Sequence, residues 1–132
     1  MTSVMPRVVR RSGSVALLAA LAIVAVGCGG GNDSGAYQEP SGPAQKTATV
    51  HTGNFFFRPD TLKLPAGVDR IELVGEGGGH TLLIEGVPHF ELSVVGDEQD
   101  AKKVDLNPGT YTYYCDVTGH REAGMEGELR VG

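Results

Sequence analysis

Tryptophan is absent from the 132 residues, and cysteine occurs only at Cys28 and Cys115. Basic residues are scarce once the first 27 positions are passed. Of 11 Lys and Arg, three (Arg7, Arg10 and Arg11) precede residue 28, whereas all 16 Asp and Glu follow it. From residue 28 onward 8 basic side chains therefore stand against 16 acidic ones, a net charge of −8. This balance leaves no basic stripe to neutralise phosphates and argues against nucleic acid as a partner. It fits a soluble extracytoplasmic module whose partners are basic. No apolar run reaches the roughly 20 residues that a membrane-spanning helix needs. Histidine is limited to His51, His80, His89 and His120, with no His-x-His pair, and no His-rich or Met-rich tract exists.

The N-terminus reads as an address. Arg7, Arg10 and Arg11 form a positive region, and Val15 to Val26 is an apolar run of 12 residues, the length of a signal core. It closes on Ala25-Val26-Gly27-Cys28, which resembles the lipobox of bacterial lipoproteins, with Ala25 where Leu is more usual. Residues 1–27 are thus expected to be a signal peptide, and Cys28 the lipidated first residue of the mature chain. An ordinary cleaved signal followed by a chance cysteine is the competing reading, and Gly13 and Ser14 weaken a twin-arginine reading of Arg10-Arg11. Residues 29 to 45 hold five Gly, two Pro and two Ser, with no Val, Ile, Leu or Phe. Such a segment buries too little apolar surface to offset its ordering entropy, so residues 28–45 are expected to form a flexible tether.

From residue 46 to 132 the pattern is that of an all-β domain. Short runs of Val, Ile, Thr, Tyr and Phe alternate with Gly and Pro, and helical spacing is missing. Strands are expected near Ala48–His51, Asn54–Phe57, Thr61–Leu64, Asp69–Val74, Thr81–Glu85, Glu91–Val95, Lys103–Leu106, Thr110–Cys115 and Glu128–Val131. Turns fall at Pro65-Ala66-Gly67, Gly75 to Gly79 and Asn107-Pro108-Gly109, which predicts a two-sheet antiparallel sandwich with one helical turn around Asp97 to Ala101. Period-two alternation puts Tyr111, Tyr113 and Cys115 on one face, and His80, Leu82 and Ile84 on another. Cys115, Met125 and His80 each stand at a strand end and are expected to converge at one end of the sandwich.

The chemistry-bearing stretch runs from Cys115 through His120 to Met125, a Cys-x4-His-x4-Met spacing on one inter-strand loop. Thiolate, imidazole and thioether form a soft set suited to copper in both oxidation states, and a His2Cys site with a weak axial Met serves electron transfer. The missing imidazole is best supplied by His80, which follows Gly77-Gly78-Gly79 and opens a strand. His89 follows Pro88 in a loop and is the weaker candidate; His51 reads as structural or exposed. Removal of the leader leaves Met125 the only methionine and Cys115 the only unlipidated cysteine, which disfavours a core-filling role for both.

This stretch resembles the cupredoxins, the plastocyanin and azurin superfamily of blue copper proteins. The resemblance covers residues 46 to 132 and rests on Gly109 to Cys115, His120, Ala123 to Gly127, Leu129 and Val131. It extends to His80-Thr81-Leu82-Leu83-Ile84, Phe55 to Pro59 and Leu62 to Gly67. Plastocyanins usually carry two residues between the Cys and the His; the four found here are nearer to rusticyanin-like and sulfocyanin-like members. Gly75 to Gly79 also replaces the Asn-containing stretch often found before the upstream histidine. The resemblance implies a Greek-key sandwich holding one type 1 copper on His80, Cys115, His120 and Met125.

One available cysteine excludes a dinuclear copper centre, and the few histidines exclude multicopper oxidases and nitrite reductases. Four protein ligands leave no position for substrate, so the domain is expected not to be an enzyme. The expected function is single-electron transfer by a monomer anchored extracytoplasmically through Cys28, between redox proteins such as cytochromes or a terminal oxidase. His120 would be the electron exit. Asp116, Arg121 and Glu122 flank it, either as partner-facing charges or as an ordinary solvated loop face. A copper chaperone or buffer without redox turnover is the alternative, which Met-rich or His-rich tracts would have supported. Structural zinc is disfavoured by the thioether.

Overall fold

The computed structural model describes residues 35–132. The expected leader over residues 1–27, the expected lipidation site Cys28 and the first part of the expected tether lie outside the described residues. Nine strands follow: β1 (Thr47–Gly53), β2 (Phe56–Arg58), β3 (Thr61–Leu64), β4 (Gly67–Gly75), β5 (Gly79–Ile84), β6 (Glu91–Val95), β7 (Gln99–Leu106), β8 (Gly109–Tyr114) and β9 (Glu126–Val131). They form one sheet in the order β2-β1-β4-β7 and a second in the order β3-β9-β8-β5-β6. No helix occurs among the described residues.

Alternation explains why these runs are strands and why the sheets face each other. In β3, Leu62 and Leu64 are buried while Thr61 and Lys63 face solvent; in β6, Leu92 and Val94 are buried between exposed Glu91, Ser93 and Val95. Val50, Ile71, Leu73 and Val104 from the first sheet meet Leu82, Leu92, Tyr113 and Leu129 from the second, each fully or almost fully buried. Each such side chain contributes about 1.5–3 kcal/mol relative to an exposed position. Tyr113 lies across Gly127, where any Cβ would overlap its ring.

Two expectations are corrected. The sandwich is all-β and two-sheeted but not wholly antiparallel: β1 runs parallel to β4, and β3 parallel to β9. Alternation decides the face a residue takes and is blind to the direction of the neighbouring strand. Direction follows from the connections, and the chain changes sheet between β2 and β3 and again between β3 and β4. The helical turn around Asp97 to Ala101 is also absent. Gly96 turns the chain at φ 65°, and Gln99 already pairs with Val74. The local carboxylates bond strand backbone instead, Glu98 accepting from the Val95 N–H (3.1 Å) and Asp100 from the Ser93 N–H (3.0 Å).

Residues 37 to 42, read from composition as part of a tether, lie against the domain. The Tyr37 ring meets Phe90 edge-on at 5.2 Å, and its hydroxyl donates to the Lys103 carbonyl at 2.9 Å. Glu39 accepts the Lys103 N–H at 3.1 Å, and the Gly42 carbonyl accepts from Lys103 Nζ at 3.0 Å. This segment thereby satisfies backbone groups on the open edge of β7, a place where unpaired groups would invite another strand.

Candidate metal centre

Strand register brings the candidate ligands together. β8 and β9 pair with Tyr114 opposite Glu126, and the Cys115 N–H donates to the Met125 carbonyl at 3.1 Å, one residue beyond the strands. Opposed residues of an antiparallel pair share a face, and Cys115 and Met125 are both fully buried. On β5, His80, Leu82 and Ile84 all point inward, as alternation predicts. The loop between Cys115 and Met125 folds back through the His120 N–H to the Val117 carbonyl (2.9 Å) and the Met125 N–H to the His120 carbonyl (3.0 Å). His120 is thereby turned onto the buried pair while staying half-buried itself.

The donor atoms of His80, Cys115 and His120 all lie within 4.8 Å of one another, the one such His, Cys or carboxylate group among the described residues. His120 Nδ1 is 3.5 Å from Cys115 Sγ, and the two imidazole centroids are 5.1 Å apart. His80 Nε2 lies 3.1 Å from the Gly77 carbonyl. Donation there assigns the tautomer and leaves the Nδ1 lone pair free. That Nδ1 is buried without any hydrogen-bond partner. A buried nitrogen so placed costs about 1–3 kcal/mol unless something takes its lone pair. Burial also lowers the His80 pKa, with the nearby His120 adding to the effect and the Gly77 bond opposing it. The ring is therefore held neutral, as a metal ligand must be. Two imidazoles and a thiolate converging beside a buried thioether fit a type 1 copper centre.

The surroundings hold this arrangement. The Thr81 N–H and hydroxyl each lie 3.5 Å from Cys115 Sγ. The hydroxyl has one proton, and its 2.7 Å contact with Asp116 claims it, so the backbone N–H is left as the donor to sulfur. The Asp116 N–H returns a bond to the same hydroxyl at 3.0 Å. Gly78 adopts φ 76°, and a Cβ there would stand 2.9 Å from His80 Nε2 and 3.0 Å from Asn54 Oδ1. The Gly-rich turn thus permits a close approach to the His80 ring, and Asn54 reaches the same spot from the β1–β2 turn. Phe55, 49% exposed, sets its ring edge-on to His120 at 4.9 Å. Sequence reading missed Asn54 and Phe55 as neighbours of the site because they arrive from another sheet. The only available signal was the aromatic run Phe55 to Phe57, which the sequence reads as part of a strand.

The other histidines stand apart. His51 pairs with Glu76 at 3.2 Å on the partly exposed side of β1, and His89 is exposed at φ 61°. Neither joins the group of three donors.

No family model matches the sequence. The plastocyanin of Dryopteris crassirhizoma is 36% identical over 97 aligned residues, covering 60% of this chain and 90% of that protein. Among solved structures, auracyanin B superposes with a TM-score of 0.62 at 22% identity, covering 74% of this chain and 96% of its own. Reduced auracyanin from the photosynthetic bacterium Roseiflexus castenholzii gives 0.59 at 14% identity, covering 68% and 99%. These two speak for the fold. A mutant fern plastocyanin gives 0.53 at 28% identity, covering 64% of this chain and all of that one, 100%. With identity of 36% across nine-tenths of a plastocyanin, the chain belongs to the plastocyanin family of cupredoxins.

Proposed function

We propose that this protein is a blue copper electron carrier whose ion would be held by His80 Nδ1, Cys115 Sγ and His120 Nδ1, together with the Met125 thioether. The observation that carries this reading is the convergence of the His80, Cys115 and His120 donors within 4.8 Å of one another, with His80 Nδ1 buried and partnerless. Bound copper would supply a one-electron couple between Cu(I) and Cu(II). The residues do the rest. Burial of Cys115 and Met125 keeps water from the site. The Thr81 N–H stabilises charge on the sulfur, and the Gly77 carbonyl holds the His80 ring in one orientation. His120, half-buried at the surface, offers a way out for an electron, beside Phe55 and the exposed Val117, Ala123 and Gly124.

The wider setting belongs to the same reading. Export by residues 1–27 and lipidation at Cys28 would hold the domain at an extracytoplasmic membrane surface, as a monomer serving redox proteins such as cytochromes or a terminal oxidase. With all ligands supplied by protein, the domain acts as a carrier and not as an enzyme. Titration of the metal-free protein with Cu(II), followed by visible absorption and electron paramagnetic resonance, tests the core of the proposal. One equivalent should produce intense thiolate-to-copper absorption and a narrow type 1 resonance. A colourless complex with an ordinary tetragonal resonance would refute it.

A further inference from the structure

We propose that Arg121 is a positioning residue that latches the ligand loop to the three strands from which the other ligands come. The inference rests on the copper reading above and concerns how the site keeps its shape. Arg121 directly follows His120 on the loop. Its Nη2 donates to Glu85 Oε1 at 2.6 Å and its Nε to Glu126 Oε2 at 3.1 Å. Its guanidinium lies 4.2 Å from the centroid of the Tyr114 ring. Glu85 immediately follows β5, the strand of His80. Tyr114 ends β8 immediately before Cys115, and Glu126 begins β9 immediately after Met125. One side chain thus touches the flank of each strand that delivers a ligand.

The chemistry of arginine accounts for the arrangement. A planar fork can donate along two directions while its flat face stacks on an aromatic ring, which a lysine ammonium cannot do. Exposed ion pairs taken singly contribute little, because two long side chains must be ordered for each. Here two carboxylates and a ring share one guanidinium, so its conformational freedom is lost once for three contacts. The rest of the loop needs such an anchor. Val117, Thr118, Gly119, Glu122, Ala123 and Gly124 are all exposed, and the loop's other hydrogen bonds are local except those of Asp116 with Thr81. Arg121 therefore fixes the far half of the loop, the half that carries His120 toward Met125, as Asp116 fixes the near half. A carrier that changes oxidation state without rearranging depends on that rigidity.

Amide hydrogen exchange over residues 116–125 of the metal-free full chain reads the latch directly. The release of Cu(II) to a chelator, and the copper hyperfine splitting, read its effect on the loaded site. Arg121→Gln and the double variant Glu85→Gln/Glu126→Gln should each speed loop exchange and copper release by roughly threefold to tenfold. Combining all three changes should add little, because they break one shared network. The hyperfine splitting should change as well, which a loss of global stability alone would not cause. Unchanged loop exchange in both variants would overturn the latch. A wild-type protein with no type 1 spectrum would instead defeat the copper reading, and exchange in the metal-free chain would still decide the latch.

Discussion

Tyr113→Phe isolates a single oxygen on a fully buried side chain of the strand that leads to Cys115. Tyr113 is fully buried on β8, two residues before Cys115, and its hydroxyl donates to the Pro59 carbonyl at 2.7 Å. Its ring meets Phe57 at 5.2 Å and would do so equally as phenylalanine. The substitution therefore removes one hydrogen bond and leaves the apolar packing intact. Loss of such a bond costs about 0.5–1.5 kcal/mol, toward the lower end because Pro59 lies at the surface and water can reach its carbonyl. For a domain of this size that is a fall in Tm of about 4–8 °C per kcal/mol.

The pH dependence gives a second, sharper readout. Burial, with Asp60 adding, raises the Tyr113 phenol well above its ordinary value of 10.0. The folded state then keeps a proton that the unfolded state releases, so stability is fully present below about pH 10 and falls as pH rises beyond it. The slope is about 1.4 kcal/mol per pH unit for one proton. Tyr37 shifts in the same direction, chiefly by burial, so Tyr113→Phe should reduce that alkaline loss without abolishing it. Chemical denaturation of both proteins from pH 8 to 11 measures the effect. A variant as stable as wild type at pH 8, with the same alkaline slope, would refute the reasoning.

His80→Ala should abolish the blue site, whereas His51→Ala and His89→Ala should leave the spectrum unchanged; loss of the blue band on changing His89 alone would reverse the ligand assignment. Gly78→Ala should destabilise the fold by about 1–3 kcal/mol, because φ 76° strains any Cβ and that Cβ presses on His80 and Asn54, and denaturant titration would show it. Cys28→Ser should lose lipid labelling and membrane retention while still binding copper. Equal labelling of that variant would end the lipoprotein reading, and loss of copper would mean that both cysteines have been misassigned.

Much of the strand content was legible because period-two burial leaves a direct trace. Thr61–Leu64 and Glu91–Val95 have the bounds that the sequence predicts, and the inward faces of His80, Leu82, Ile84, Tyr113 and Cys115 follow from parity alone. Those elements are local: each is decided by which side of a strand a residue takes. Loop spacing was equally readable, since Cys115, His120 and Met125 sit on one connection whose ends must meet once β8 and β9 pair. The parallel pairings of β1 with β4 and β3 with β9 left no trace, because hydrophobic alternation carries no information about a neighbour's direction. Composition likewise marked residues 29–45 as uniformly unstructured, yet a single aromatic, Tyr37, was enough to seat part of that segment on Phe90 and Lys103.

By itself, then, the sequence determined the donor chemistry and the alternating strands that carry it, since both reside in residue type and short spacing. Tertiary structure alone decided what surrounds those donors. Asn54 beside Gly78, Phe55 against His120, Thr81 under Cys115 and Arg121 across Glu85, Glu126 and Tyr114 mostly join residues far apart in the chain. Such contacts exist only after two sheets have closed on one another, because no local pattern records which distant side chains will share a site.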